Sequence, residues 1–247
     1  MVEKFDPKNP DKVTNTVTVP NKIQDTVGSL QTEDERVWLE NQLIKFQQQL
    51  RNLPQQASNI ERAKLELEMA EVFVGLNKLD DAWQGARPLL ELFISESEFE
   101  YAVRVCRVLY QADHEESIVA LGQGCWLAVT YPINPTLSVE MLHNIVDETP
   151  DNSDGAAVAA MAAQYIADMR GDEHRENLMF LTTQIIAKVA KRHRNIEGEE
   201  MIKTWIEILE LNDTDQLFQR LAKIIDTITA DNWWFDRDEL RAQLPVN

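Results

Sequence analysis

Only two cysteines, Cys106 and Cys125, occur in the 247 residues, and they show no C-x-x-C spacing. So few thiols build neither a disulfide framework nor a thiolate metal site, and a reducing compartment is expected. Eight glycines and nine prolines leave little material for tight turns. Basic residues are also scarce: 24 Lys and Arg against 42 Asp and Glu give a net charge of -18. That charge repels phosphate backbones and anionic lipid, so neither nucleic acid nor a membrane surface is an expected partner. Long apolar runs are missing too. The most apolar stretch, Gly155 to Ala167, is broken by Gln164 and falls short of the roughly 20 residues a membrane span needs. The first thirty residues contain no apolar core of signal-peptide length, so the protein is expected to be cytoplasmic. Phosphate-cradling loops and nucleophile elbows are absent in their usual spellings, G-x-x-x-x-G-K-S/T, G-x-G-x-x-G and G-x-S-x-G.

What is present is helix-forming: Leu, Ala, Glu and Gln recur throughout, and 44% hydrophobic residues suffice for a sizeable core. Residues 1–31 hold Pro7, Pro10 and Pro20 without helical periodicity, so an extended or disordered N-terminal arm is expected there. The folded body is expected over 32–229. It opens on Thr32-Glu33-Asp34-Glu35, a capping box in which hydroxyl and carboxylate serve otherwise orphaned N–H groups. Leu39, Leu43, Phe46 and Leu50 then form one stripe at helical spacing, closed by Pro54. Ser58-Asn59-Ile60-Glu61 opens a second helix, with Ile60, Ala63, Leu67, Ala70 and Val74 on one face. Helices are predicted further at about 80–95, 98–112, 115–130, 136–147, 154–169, 174–193, 198–211 and 214–229, with no strand among them. Short links between amphipathic helices predict an all-α fold of antiparallel hairpins stacked as an α-solenoid, with a compact helical bundle as the alternative.

Met69-Ala70-Glu71-Val72-Phe73, running through Asn77 to Ala82 and Ala86, has the small and aromatic positions of one repeat unit. Val105-Cys106, Leu109, Asp113 and Ile118 fall at corresponding places about 36 residues on. Ser138, Leu142, Ile145 and Pro150 match a second helix and its closing proline, and PDNSDGAAVAAMAAQYI the helix after it. Over Ala63 to Ala190 the chain thus resembles the tetratricopeptide repeat family, with degenerate repeats. It departs at Trp126, where that family has a small residue, and at Pro132 to Pro135, which interrupts the spacing. The resemblance implies a helical-repeat scaffold. Independently of it, Ala70, Ala82, Ala86, Ala160 and Ala163 let paired helices approach closely.

Few residues offer chemistry. Glu140-Met141-Leu142-His143 is a Glu-x-x-His pair, but di-iron bundles need two such pairs plus two further glutamates, and His114, His174 and His193 lack a glutamate three residues before them. Gln123-Gly124-Cys125-Trp126 resembles a cysteine-protease nucleophile segment, yet Gly122 stands where that pattern has another cysteine. Cys125 and Cys106 read as packed core thiols. No catalytic residue, cofactor or metal is therefore expected. The leading expectation is a non-catalytic scaffold or adaptor that binds a protein partner, as a subunit or assembly factor of a larger enzyme complex; the alternative is a metal-dependent helical-bundle enzyme. Two segments are candidates for partner binding. One is the basic run Lys188, Lys191, Arg192, His193, Arg194, which either complements a helix C-terminus or docks an acidic segment. The other is Trp233-Trp234-Phe235 within 230–247, expected as a C-terminal aromatic cap or docking segment, with Asp236 and Glu239 opening a short helix.

Overall fold

The computed structural model describes residues 32–171 and 173–244. The N-terminal arm expected over 1–31 lies outside them. Twelve helices form among the described residues, and no strand: α1 (Glu33–Asn52), α2 (Asn59–Gly75), α3 (Leu79–Ala86), α4 (Leu89–Ser95), α5 (Phe99–Gln111), α6 (Ser117–Thr130), α7 (Pro135–Glu148), α8 (Asp154–Arg170), α9 (Arg175–Arg194), α10 (Glu199–Ile208), α11 (Thr214–Thr229) and α12 (Arg237–Ala242). The chain is all-α, as the periodicity predicts.

Starts and stops follow local chemistry. Thr32, Ser58, Asn134, Ser153, Asp213 and Asp236 each cap a helix by accepting a backbone N–H, and Ser58 with Glu61 completes a reciprocal capping box. The scarcity of glycine shows at the other ends. Asn77, Ser97, Asp113, Asn195 and Glu210 take positive φ just beyond their helices. There the N–H of Lys78 reaches back to the carbonyl of Phe73, that of Glu98 to Phe93 and that of Leu211 to Ile206. These six-to-one bonds close the helices with side chains that pay a small left-handed penalty. The segment 80–95, predicted as one helix, is two, α3 and α4, meeting at Arg87-Pro88. Pro88 lacks an N–H and cannot continue the α3 ladder, although both residues keep right-handed helical dihedrals.

Helices pack with their neighbours in sequence: α1 on α2, α2 on α3, α5 on α6, α7 on α8, α8 on α9. A second set of contacts orders them into rows. α2, α5, α7 and α9 touch in succession, while α3, α6 and α8 stand behind them. The core lies between the rows, where Leu67, Leu90, Phe93, Leu109, Leu121, Leu127, Met141, Leu142 and Ile166 are fully buried. Each such side chain contributes about 1.5–3 kcal/mol relative to exposure. α11 does not extend this order but turns back to lie across α6 and α8. Gly122 makes room for it, since a Cβ there would run into Thr229 and come within 3.1 Å of Ile228 Cγ1.

Candidate interaction surfaces

The row α2–α5–α7 is joined by a ladder of ion pairs. Arg104 grips Glu71 through Nε at 2.9 Å and Nη2 at 2.7 Å, and the same Nη2 reaches Glu68 at 2.7 Å. Arg107 spans the next rung, 2.8 Å from Glu71 and 3.1 Å from Glu140. Lys64 holds Glu98 at 2.8 Å, and Tyr110 donates to Glu148 at 2.6 Å. Burial works against the charge of Arg104, but the carboxylates of Glu71 and Glu68 outweigh it and raise its pKa. Residues 33 to 38 apart make these bonds, so the ladder joins side chains that only the packing of α2, α5 and α7 brings together.

Within this ladder Glu140 turns to Arg107, not to a metal partner of His143. The His143 Nε2 lies 3.9 Å from Asp147 Oδ1, and no three His, Cys, Asp or Glu among the described residues are grouped as metal ligands. Burial pushes the His143 pKa down despite the nearby Asp147 carboxylate, with Lys188 adding to the fall. Protonating it is harder in the fold than in the unfolded chain, so its contribution is complete above about pH 6.5 and is lost as pH falls through the depressed folded value. Urea unfolding at pH 7.5 and 5.5 should show the native chain losing stability on acidification relative to H143Q. Equal pH slopes would contradict this.

The cysteines are core thiols. Both are wholly buried, and burial raises their pKa values far from the thiolate range. Cys125 Sγ donates to the Met141 carbonyl at 3.3 Å.

The basic run of α9 is divided. Arg192 Nη2 donates to the carbonyls of Val146 at 2.9 Å and Thr149 at 3.3 Å, satisfying the end of α7. Its Nε lies 3.2 Å from Asp151. Lys191 pairs with Glu197 at 2.8 Å on the surface, and Arg194 is exposed. His193 is buried, accepting from Trp205 Nε1 at 3.2 Å and facing Asp154 at 3.2 Å.

The aromatic segment follows directly on α11, where Asn232 N donates to Thr229 O at 2.8 Å. It doubles back over α6 and α3, and all three aromatics are half-buried. Trp233 and Phe235 pack on Trp126 at centroid distances of 6.2 and 5.5 Å. Trp234 meets Trp83 edge-on at 6.4 Å, with the Arg87 guanidinium 4.1 Å over its ring. Gln123, wholly buried in an otherwise apolar helix, clamps the strap: its Nε2 donates to Asn232 O at 2.7 Å and its Oε1 accepts from Trp234 N at 3.4 Å. Tyr131 donates to Leu240 O at 3.0 Å. Asp236 then caps α12 by accepting from the N–H groups of Asp238 and Glu239. Sequence reasoning placed this helix but missed Gln123 and Arg87 as the strap's holders. The available signal was a lone glutamine among apolar residues.

Large exposed apolar side chains gather at the two ends. Val37, Trp38 and Ile44 project from α1, while Tyr165, Met169, Phe180, Leu181, Met201 and Ile208 project from α8, α9 and α10. Beside the second group a groove of about 240 Å³ opens, lined by Met161, Gln164, Tyr165, Asp168, Met179, Leu211, Asn212, Thr214 and Leu217. None of the described helices is long and apolar enough to cross a membrane. Fold and surfaces together define an all-helical protein of consecutively packed helices. Compared with family models, curated proteins and solved structures, the chain matches none.

Proposed function

We propose that this chain is a tetratricopeptide-like scaffold of the cytoplasm, acting by binding a protein partner within a larger complex and not by catalysis. The observation that carries the proposal is the groove between α8, α9 and α11, with Phe180 and Ile208 near its lining residues in sequence and 69% and 73% exposed. A solenoid needs polar outer faces at its terminal repeats to stay soluble alone. Apolar side chains concentrated there mark a surface that another chain covers. The charge around it specifies the occupant's chemistry. Glu199, Glu200, Glu207, Glu210, Asp213 and Asp215 stand in 199–215 against the single base Lys203. The partner that fits is an amphipathic segment with apolar anchors flanked by lysine and arginine.

Purification at native expression should recover that partner in fixed stoichiometry with the chain. F180D and I208D should each weaken its binding at least tenfold, because a charge replaces an apolar anchor. Both positions are exposed, so the melting temperature should stay within a degree or two of the unaltered chain. Undiminished recovery of the partner with both variants would refute the assignment of this surface. Support for binding over catalysis comes from the groups that could do chemistry: Glu140 is held by Arg107, and both thiols are buried and protonated.

A further inference from the structure

The opposite end of the stack carries a different surface. α1 packs on α2 through buried Leu39 and half-buried Leu43, Phe46 and Leu50. At 100° per residue, Val37, Asn41, Ile44 and Gln48 fall on the reverse side. Val37 and Ile44 are 45% and 51% exposed there, and Trp38 on its flank is 47% exposed. An isolated surface leucine would need no explanation, but three large apolar side chains, Val37, Trp38 and Ile44, exposed on the side away from α2 offer a second packing surface.

Charge is sorted along the same helix. Glu33, Asp34, Glu35 and Glu40 occupy its first half, and the second half holds Lys45 and Arg51 with no acid. Arg36 and Glu40 pair with each other, which leaves Glu33, Asp34 and Glu35 at one end and Lys45 and Arg51 at the other. Glu35 falls on the side that faces α2, so Glu33 and Asp34 are the acids of the outer side. On the helical wheel Asp34, Trp38 and Lys45 share one flank, while Glu33 and Arg51 share the other.

We infer that α1 is a homodimerisation helix, pairing antiparallel with α1 of a second copy about a two-fold axis near Asn41. In that arrangement residues whose numbers sum to about 82 lie opposite each other, and like flanks meet. Trp38 then covers Ile44 of the other copy. Asp34 comes within a turn of its Lys45, and Glu33 faces its Arg51. A parallel pairing would set acid against acid and base against base, so the charge order selects the antiparallel one. Two such helices, each about 30 Å long, bury on the order of 1,000 Å² together, at the lower limit for a specific interface. The dimer should accordingly dissociate in the micromolar range.

Sedimentation equilibrium of the full chain tests this. At 100 µM the mass should be twice the 28.4 kDa of the chain, falling to one chain mass on dilution. I44D should be monomeric at 100 µM with unchanged helical circular dichroism. The K45E/R51E chain and the E33K/D34K chain should each be monomeric alone, because each gives positions 33, 34, 45 and 51 one sign of charge, so that both ends of the antiparallel pair repel. Mixed one to one, they should regain the dimer mass. F180D and I208D, at the other end, should leave the dimer intact, so failure here and failure of partner docking are separable. The inference is overturned by a monomeric native chain at 100 µM, by an I44D dimer, or by charge variants that stay monomeric on mixing. If the native chain is monomeric and hydroxyl-radical footprinting finds Trp38 shielded, another segment of the same chain covers the face and the dimer is refuted.

Discussion

Ending the chain after Ile228 is expected to lower its thermal midpoint by roughly 10 °C. The loss removes the contacts of Trp233 and Phe235 with Trp126, of Trp234 with Trp83 and Arg87, and both hydrogen bonds of Gln123. Half-burial of three aromatics and two bonds to a buried amide together amount to about 4 kcal/mol. In a domain of this size each kcal/mol moves the midpoint by about 2–4 °C. Differential scanning calorimetry measures the shift. Q123A tests the clamp alone and should cost about 1–3 kcal/mol, because it strands the carbonyl of Asn232. If the truncated chain melts with the full one but loses its co-purifying partner, the aromatics serve docking and the strap contributes little to the fold.

Gly124→Val is expected to destabilise the protein by about 3 kcal/mol or more. A Cβ at position 124 would lie 2.7 Å from Cys106 Cβ and 2.5 Å from Met141 Cε. The methionine end can swing aside, but the Cys106 Cβ is fixed to the α5 backbone, so α5 and α6 must separate along their whole contact. Overpacking of this kind costs typically 1–3 kcal/mol, and the β-branched residue adds to it. Urea unfolding should show a lower midpoint. Gly85→Ala is the matching control. Its Cβ would meet only Ala70 Cβ, at an ordinary 3.8 Å, so replacing a glycine inside α3 should stabilise by about 0.5–1 kcal/mol. A destabilised G85A together with a neutral G124V would show that the helix spacings assigned around α6 are wrong.

The helices were legible because their information is local. The stripe Leu39-Leu43-Phe46-Leu50 and the box Ser58-Glu61 need no knowledge of the rest of the chain, and both formed where expected. Pro88 was legible in principle, yet the continuous apolar periodicity of 80–95 masked it. Trp126 was visible only as a misfit to the repeat pattern. Its explanation lies more than a hundred residues away, in the strap that covers it. Likewise the basic run of α9 reads as one block in sequence, but α7 takes Arg192 while Lys191 and Arg194 stay at the surface.

The sequence by itself therefore determined the helical class, most of the sites where helices begin and end, and the acidic net charge. These follow from capping, periodicity and composition, all of which act over a few residues or over the whole chain at once. Only the tertiary structure decided that α11 and the aromatic strap fold back over α6 rather than extending the stack, that Gln123 clamps the strap, and that Glu140 serves Arg107. Each of these depends on which helix faces end up adjacent. That adjacency is set by the summed packing of small residues such as Gly122 and Gly124, which no single segment encodes.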